Sequence, residues 1–257
     1  MPATAVEDVL DALLTLAPHG VHEVPRGDEV ELCVRGADDE LPSRSAVAAA
    51  GGRWHASLRE REVPDDWCTR RLADHESVLI AGRILVRPHW ARAIPGLLDV
   101  VLADDGAFGA GSHPTTRACL EALCALAPAG AALDLGCGSG VLAIAAALLG
   151  WGPVMAVDSQ PVAVAATRTN ARHSGAAVDV REQDVGAAAH LPAALVMANV
   201  PLDAHLAIAR ALPTPPQRLI ASGVLAADAD ELLELYALPA RTSVVVDGGW
   251  AMVVSRP

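Results

Sequence analysis

Residues 132–150 read ALDLGCGSGVLAIAAALLG, an apolar stretch interrupted by three alternate glycines. The apolar residues before the glycines suit a buried strand, and the alanine- and leucine-rich run after them suits a helix. Glycines at the first turn between a strand and a helix let the backbone approach a ligand closely and direct helix N–H groups towards it. The stretch therefore predicts a strand, a ligand-binding turn containing Gly136, Gly138 and Gly140, and a helix.

The sequence around this turn alternates between strands and helices. Strands are predicted at 131–135, 153–157, 177–181, 194–198 and 217–222, and helices at 140–149, 160–173, 203–211 and 227–236. Two further strands, RTSVVV and WAMVVS, flank an Asp-Gly-Gly turn and are expected to form an antiparallel edge hairpin. Alternation with short connections predicts an α/β fold: a doubly wound, mostly parallel sheet of seven strands with helices on both faces.

The first sixty residues have a different pattern. Their predicted elements are a helix over 5–17, a hairpin of VHEV (21–24) and DEVELCV (28–34), a helix near 44–50 and a strand in RWHASLRE (53–60). We therefore expect a small α+β domain at 1–61, a connector at 62–96 and the main domain at 97–257. The connector contains two predicted strands, ESVLIAG and RILVRP.

The charged residues exclude several functions. All nineteen positively charged side chains are arginine, so Schiff-base lysines and the P-loop lysine are absent. The formal net charge of −12 argues against a nucleic-acid partner, because binding to a phosphate backbone depends on clustered basic side chains. A basic protein partner is compatible with this charge.

The cysteines and the N-terminus indicate the compartment. The five cysteines are scattered without a C-x-x-C pair, and no pair of histidines has the spacing of a zinc site, so no metal is expected. The first residues are acidic and lack the pattern of a signal peptide. We therefore expect a cytoplasmic protein with reduced thiols and no membrane association.

The spacing of the glycines separates two kinds of cofactor. A dinucleotide-binding turn has the pattern G-x-G-x-x-G, whereas the third glycine here comes one residue early and Val141 takes the expected place. Asp134, two residues before the turn, would repel a pyrophosphate but attract a ligand that carries an ammonium and a sulfonium group. These features predict S-adenosylmethionine rather than a nicotinamide dinucleotide.

Two further acidic residues follow the next strands. Asp158 ends VMAVD, 22 residues after Gly136, where a carboxylate is expected to bind ribose hydroxyls. Asp184 follows the third strand, where the edge of the adenine would lie in a doubly wound sheet. A helix cap or turn is the alternative for Asp134 and Asp158, and a surface position for Asp184. The combination with the glycines favours ligand binding by Asp134 and Asp158 and leaves Asp184 open.

A second glycine-rich stretch, DDGAFGAGSHPTTRACLEAL (104–123), precedes another predicted helix. Thr115 or Thr116 is expected to cap this helix, and a plain connection with such a cap is the alternative to a ligand-binding loop. Ser112 beside His113 does not indicate a hydrolase, because adjacent residues rarely meet in triad geometry and the chain has no G-x-S-x-G turn.

This stretch closely resembles the F-G-T-G-x-H-P-T-T loop of bacterial methyltransferases that modify ribosomal protein L11. The family's D-F-G-C-G-S-G-I-L-A-I-A, strand-end acid, A-N-I-L and S-G-I-L correspond to DLGCGSGVLAIA (134–145), Asp158, Ala198-Asn199-Val200-Pro201 and Ser222-Gly223-Val224-Leu225. The resemblance extends from about Asp65 to the C-terminus. The two glycine stretches together are much more specific than either one alone.

The resemblance implies a Rossmann-like methyltransferase that uses S-adenosylmethionine. The residues that it assigns to the cofactor are Thr116, Gly136, Asp158 and Asn199, with Phe108 and His113 on a loop that closes over the site. It also implies that the N-terminal domain recognises the protein substrate. This sequence departs from the family in three places: the first strand is not found, Ala110 replaces a usual threonine, and Val-Pro-Leu follows Asn199. These departures leave the identity of the substrate open.

Methyl transfer from a sulfonium to an amine depends mainly on positioning, because the departing sulfide needs no proton. The amine must be neutral, which is more demanding for a lysine (pKa about 10.4) than for a terminal amine (pKa about 8). The side-chain carbonyl of Asn199, at the end of the fourth strand, is suited to accept an N–H of that amine. The alternative for Asn199 is a loop cap.

We therefore predict an N-methyltransferase that modifies amino groups of a ribosomal protein of the L11 type. One alternative is a methyltransferase of small molecules or peptides on the same core. The other is a nucleotide-binding oxidoreductase or a non-catalytic binding module, which the early third glycine and Asp134 disfavour.

Overall fold

The computed structural model of the chain describes residues 9–10, 12–13, 16, 21–26, 29–34, 41–52, 58–59, 77–103, 113–214, 216–238 and 242–255. The chain divides into two compact units, Met1–Asp65 and Asp66–Pro257. Each unit has its own sheet structure, and the glycine turn lies in the second.

The first unit contains a hairpin and a helix. Strands β1 (Val21–Arg26) and β2 (Glu29–Val34) pair antiparallel, which confirms the predicted hairpin. Helix α1 (Arg44–Gly51) is also confirmed, and the Oγ of its cap Ser43 accepts a hydrogen bond from the N–H of Ala46 at 3.3 Å.

Two predicted elements of the first unit are described only in part. Within the helix predicted over 5–17, four residues are described as helical: Val9, Leu10, Ala12 and Leu13. In the strand predicted over 53–60, residues 53–57 and 60 lie outside the described residues, and Leu58 and Arg59 are not in a strand.

The first described strands of the second unit form a small sheet. Strand β3 (Val78–Ile80) pairs antiparallel with β4 (Ile84–Pro88), and β5 (Leu98–Leu102) adds to β4 in parallel. The first two strands were predicted in ESVLIAG and RILVRP, but β5 was not. The guanidinium of Arg87 on β4 donates two hydrogen bonds, of 2.7 and 2.6 Å, to the carboxylate of Asp99 on β5. This ion pair stabilises β5 against β4. The strand, LDVVL, has five residues and no alternation of apolar and polar residues, so its pattern did not predict it.

The main sheet has seven strands in the order β11-β12-β10-β9-β6-β7-β8. The strands are β6 (Ala132–Leu135), β7 (Val154–Asp158), β8 (Asp179–Glu182), β9 (Leu195–Asn199), β10 (Leu219–Leu225), β11 (Thr242–Asp247) and β12 (Trp250–Ser255). Strand β12 runs opposite to the other six strands, which share one direction, so the predicted mostly parallel α/β sheet is confirmed. The predicted C-terminal hairpin forms, but only β11 is at the edge, because β12 inserts between β11 and β10.

Helices cover both faces of this sheet. They are α2 (Pro114–Cys124), α3 (Val141–Leu149), α4 (Pro161–His173), α5 (Val185–Ala188), α6 (Leu202–Ala211) and α7 (Ala229–Leu235), the last preceded by a 3₁₀ turn (Ala226–Asp228). Successive strand residues contribute to two apolar layers: Leu195 and Met197 of β9 belong to one, Val196 and Ala198 to the other. The short α5 was not predicted, since a single turn carries no helical periodicity.

Within the described part of the chain, no helix is both long and apolar enough to cross a membrane.

Candidate active site

The candidate site lies at the carboxyl ends of the central parallel strands. The chain leaves β6 for β7 on one side and returns from β8 to β9 on the other, so the strand order reverses between β6 and β9. Ligands of doubly wound sheets bind outside the carboxyl ends of strands at such a reversal. The glycine turn follows β6, Asp158 ends β7 and Asn199 ends β9, so the topology brings the three together.

The glycine turn has a backbone that few other residues adopt. Gly136, Gly138 and Gly140 have φ values of +75°, +54° and +79°, in the left-handed region that favours glycine. A Cβ on Gly136 would collide with Val200 Cγ1, and one on Gly140 would lie 2.6 Å from Thr167 Cγ2. Gly136 and Gly140 are therefore packed closely against neighbouring side chains, while Gly136 and Gly138 stay partly exposed, where a ligand can approach the backbone.

Two buried polar residues of α4 hold the turn in place, and the sequence analysis missed both. Thr167 Oγ1 donates to the carbonyl of Gly138 at 2.8 Å, and Asn170 Nδ2 donates to the carbonyl of Ser139 at 2.9 Å. Both side chains are fully buried. A signal was present: threonine and asparagine stand three residues apart, on one face of an alanine-rich helix, where a buried polar group needs a partner.

Asp158 braces the same turn. One carboxylate oxygen accepts from the N–H of Gly138 and the other from the N–H of Gln160, each at 3.0 Å. A carboxylate has about four acceptor positions, so these two bonds leave capacity for the hydroxyl groups of a ribose. The position agrees with the predicted diol-binding role, which stays a prediction.

Asp134 is almost completely buried, with 1% of its surface exposed. Its Oδ2 accepts from the N–H of Ala143 at 3.0 Å, in the first turn of α3. Burial raises the pKa of Asp134 to about 7; the Ala143 N–H opposes this shift and the nearby charge of Asp158 adds to it. This bond connects β6 with the first turn of α3, which is the alternative role considered for Asp134 from the sequence. A contribution of Asp134 to cofactor binding stays a prediction.

Asn199 and Thr116 meet across the site. Asn199 Nδ2 donates to Thr116 Oγ1 at 3.4 Å, which connects the end of β9 with the first turn of α2. Asn199 Oδ1 is buried and has no hydrogen-bond partner among the described residues. An unsatisfied buried acceptor is costly, so a ligand that donates a hydrogen bond to this oxygen would be favoured.

His113, rather than Thr115 or Thr116, caps helix α2. Its Nδ1 accepts from the N–H of Thr115 at 3.3 Å, and Pro114 occupies the first helical position, which fixes the start of the helix there. The ring also contacts Trp250 edge to face, with 5.1 Å between centroids. Partial burial lowers the pKa of His113. The loop predicted to close over the site, including Phe108 and Ala110, lies outside the described residues.

Asp184 caps the short helix α5. Its Oδ1 accepts from the N–H of Ala187 at 3.1 Å, and it follows the end of β8 as predicted. A second oxygen remains for a ligand, so contact with an adenine edge stays a prediction for this residue.

The donors and acceptors present suit S-adenosylmethionine. Gly136 and Gly138 are partly exposed at the turn, and the Asp158 carboxylate at the end of β7 keeps acceptor positions for ribose hydroxyl groups. The unpartnered Asn199 Oδ1 provides a further acceptor. Among the described residues, no cluster of histidine, cysteine or carboxylate side chains could hold a metal ion. Fold and site together define a Rossmann-like methyltransferase with S-adenosylmethionine as its cofactor.

Comparison with known proteins identifies the family. The family model described as "Ribosomal protein L11 methyltransferase (PrmA)" matches residues 43–256. A curated relative of that name from Bordetella parapertussis is 39% identical over 233 residues, covering 81% of this chain and 73% of the relative. One from Methylococcus capsulatus is 34% identical, covering 90% of this chain and 87% of the relative. The chain belongs to the ribosomal protein L11 methyltransferase family.

Other relatives match over less of their own length. The protein of the same name from Heliobacterium modesticaldum is 36% identical, with 75% of this chain and 64% of the relative covered. Among solved structures, a ribosomal protein L11 methylase from Lactobacillus delbrueckii subsp. bulgaricus superimposes with a TM-score of 0.61 at 23% identity, over 70% of this chain and 98% of that one. This likeness supports the fold.

Proposed function

We propose that the protein transfers methyl groups from S-adenosylmethionine to amino groups of ribosomal protein L11, on lysine side chains, the N-terminal amine or both. The observation that carries the proposal is the unpartnered Asn199 Oδ1, buried at the carboxyl end of β9 beside the glycine turn. An amine with an N–H to donate would satisfy this oxygen. Membership of the family supports the choice of substrate.

Asn199 acts on the incoming amine. Its Nδ2 is committed to Thr116 Oγ1, which fixes the amide so that Oδ1 is the atom free to accept. By accepting an N–H, Oδ1 directs the nitrogen lone pair away from itself and towards the reacting carbon. When bound, the cofactor supplies the methyl group as part of a good leaving group, so the chain needs no general acid there.

The amine must arrive without its extra proton. A lysine in water has a pKa of about 10.4 and is mostly charged at neutral pH, whereas burial beside Asn199 disfavours the charged form. Asn199 Oδ1 also accepts from an ammonium, so it does not select the neutral amine, and desolvation of the amine must do so. The N-terminal amine, with a pKa of about 8, needs less assistance.

The remaining parts of the chain serve recognition. We assign binding of the protein substrate to the N-terminal domain, predicted as residues 1–61. Strands β3 and β4 of the predicted connector (62–96) pair with β5 and belong to the second unit, to which we assign methyl transfer. The net charge of −12 suits a basic protein partner, without direct contact to nucleic acid. Cys119, Cys124 and Cys137 form no disulfide, in keeping with a reducing cytoplasm, where we place the protein.

Isotope-labelled S-adenosylmethionine tests the proposal. The purified protein is incubated with the labelled cofactor and ribosomal proteins from cells that lack L11 methylation, and the products are separated by mass. Label in L11 is expected, and Asn199→Ala is expected to reduce it strongly. Label confined to small metabolites would assign the activity to the alternative substrate class. Binding of NAD without any binding of S-adenosylmethionine would overturn the methyltransferase assignment.

A further inference from the structure

A buried histidine lies behind the site, on helix α6. His205 is fully buried and makes two hydrogen bonds of 2.8 Å: Nε2 to the carbonyl of Ser222 and Nδ1 to the hydroxyl of Tyr236. A carbonyl can only accept, so Nε2 carries the proton and Nδ1 accepts from the tyrosine. The geometry therefore selects one neutral tautomer of His205.

The carbonyl of Ser222 connects this pair with the site. It also accepts from the N–H of Val200 at 3.0 Å, and Val200 directly follows Asn199. In the parallel pairing of β9 with β10, Ser222 is the partner of Asn199. The Ser222 carbonyl oxygen thus accepts hydrogen bonds both from the His205 ring and from the N–H of Val200, the residue that follows Asn199.

The backbone around this carbonyl has little freedom to move. Strand β10 has an irregularity between Ser222 and Val224, where Gly223 adopts a φ of +93°. A Cβ on Gly223 would lie 2.5 Å from the carbonyl oxygen of Val200, so the backbone at Gly223 packs directly against the backbone at Val200. The Ser222 side chain is also committed, since its Oγ donates to the carbonyl of Ala251 at 2.8 Å. A shift of the Ser222 carbonyl would therefore be passed to Val200 and Asn199.

We propose that His205, oriented by Tyr236, is a positioning residue for methyl transfer: it holds the Ser222 carbonyl and thereby fixes Asn199. This inference rests on the orienting role of Asn199 in the proposed function. A buried polar pair at this place is otherwise hard to explain, because apolar side chains of the same size would fill the space between α6 and α7 without the cost of desolvation. The pair contributes what apolar packing does not, a directed bond to one backbone oxygen.

Tyr236→Phe tests the inference with the smallest change. It keeps the ring and removes the hydroxyl, so His205 Nδ1 becomes a buried acceptor without a donor and the imidazole loses the bond that fixes its orientation towards Ser222. We expect kcat to fall about ten-fold or more, because small misplacements of catalytic groups are costly, with unchanged affinity for S-adenosylmethionine. The matched control is Ile208→Val, a buried apolar change on α6 outside the network, whose loss of thermal stability is compared with that of Tyr236→Phe. An equal loss of kcat in the control would overturn the inference.

Substitutions of His205 itself separate the bond from the packing. The amide nitrogen of His205→Gln stands near the place of Nε2 and is able to donate to Ser222, whereas His205→Leu fills similar space without a donor. We expect the glutamine variant to retain several-fold more activity than the leucine variant. Equal kcat values in the two variants at matched cofactor saturation would count against a positioning role.

Side-chain NMR gives a readout that does not depend on activity. The chain has two asparagines, Asn170 and Asn199, so selective ¹⁵N-asparagine labelling gives two side-chain amide pairs. In Tyr236→Phe we expect the Asn199 pair to shift and the Asn170 pair, bonded to Ser139 in the glycine turn, to stay. An unchanged Asn199 signal would refute the inference even if the wild type methylates L11. A wild type that methylates nothing would refute the proposed function, while the shift would still report on the coupling.

Discussion

Asn199 and Thr116, 83 positions apart in the chain, share a hydrogen bond of 3.4 Å from Nδ2 to Oγ1. The bond determines which end of the Asn199 amide points away from helix α2. Because Thr116 is almost completely buried, its hydroxyl is not exchanged for water, and the amide keeps Oδ1 as its free acceptor. Thr116, at the start of α2, thereby orients the amide of Asn199 so that Oδ1, at the end of β9, is available as an acceptor.

Thr116→Val is expected to lower kcat about ten-fold, because Asn199 loses the partner that orients its amide. Stability should fall by only about 1 kcal/mol, since the isosteric methyl group keeps the packing. Thr116→Ser retains the hydroxyl and should stay close to wild type. Initial rates at saturating cofactor, together with urea unfolding, measure both effects. A serine variant as impaired as the valine variant would show that the methyl group, not the hydroxyl, matters.

Asp158→Ala and Asn199→Ala are expected to have different effects. Asp158 braces the glycine turn through the N–H of Gly138, so its loss should weaken binding of S-adenosylmethionine by about ten-fold or more, as for a hydrogen bond to a charged group. Asn199→Ala should mainly lower turnover. Calorimetric titration with the cofactor and steady-state rates separate affinity from kcat. Equal losses of affinity in the two variants would contradict this division.

Local patterns predicted the main fold well. The strand, turn and helix around Gly136 and the strand-end position of Asp158 follow from apolar periodicity and glycine spacing, and the structure has them. The hairpin β1–β2 and helix α1 were found in the same way. The position of β12 inside the sheet was missed, because strand order depends on pairing between distant segments.

The predictions at the site were limited by contacts that sequence spacing does not show. The buried pair Thr167 and Asn170 supports the glycine turn from about thirty positions away. The cap of α2 was assigned to a threonine because hydroxyl side chains are frequent caps, whereas Pro114 at the first helical position gives that place to His113. Both cases depend on three-dimensional neighbours.

Gly136→Ala should destabilise the protein by about 3 kcal/mol and abolish cofactor binding. The added Cβ meets Val200 Cγ1, and the φ of +75° is unfavourable for alanine. Gly150→Ala is the matched control: its φ is +101°, but its Cβ would make only an ordinary contact with Pro128, so about 1 kcal/mol is expected. Denaturant unfolding measures both. Adding Val200→Ala to Gly136→Ala should recover part of the stability; no recovery would locate the whole effect in the backbone.

Asp134→Asn is expected to stabilise the protein in a pH-dependent manner. The folded pKa of Asp134, about 7, lies above the ordinary 3.8, because burial disfavours the charged carboxylate. Ionisation therefore costs stability, starting as the pH rises above 3.8 and reaching its full extent above 7. Asparagine does not ionise and still accepts from the N–H of Ala143. The variant should thus be more stable than wild type by up to about 4 kcal/mol at pH 8 and by little near pH 4.

Urea unfolding at pH 4, 6 and 8, without cofactor, measures this difference. Asp184→Asn is the control, because Asp184 caps α5 without such burial and should show no comparable gain at pH 8. If Asp134 also favours the cationic cofactor, Asp134→Asn should bind S-adenosylmethionine more weakly while being more stable. The negative charge of Asp134 destabilises the folded protein, and the same charge would attract the ligand. A stability difference of the same size at every pH would mean that packing, rather than ionisation, distinguishes the two side chains.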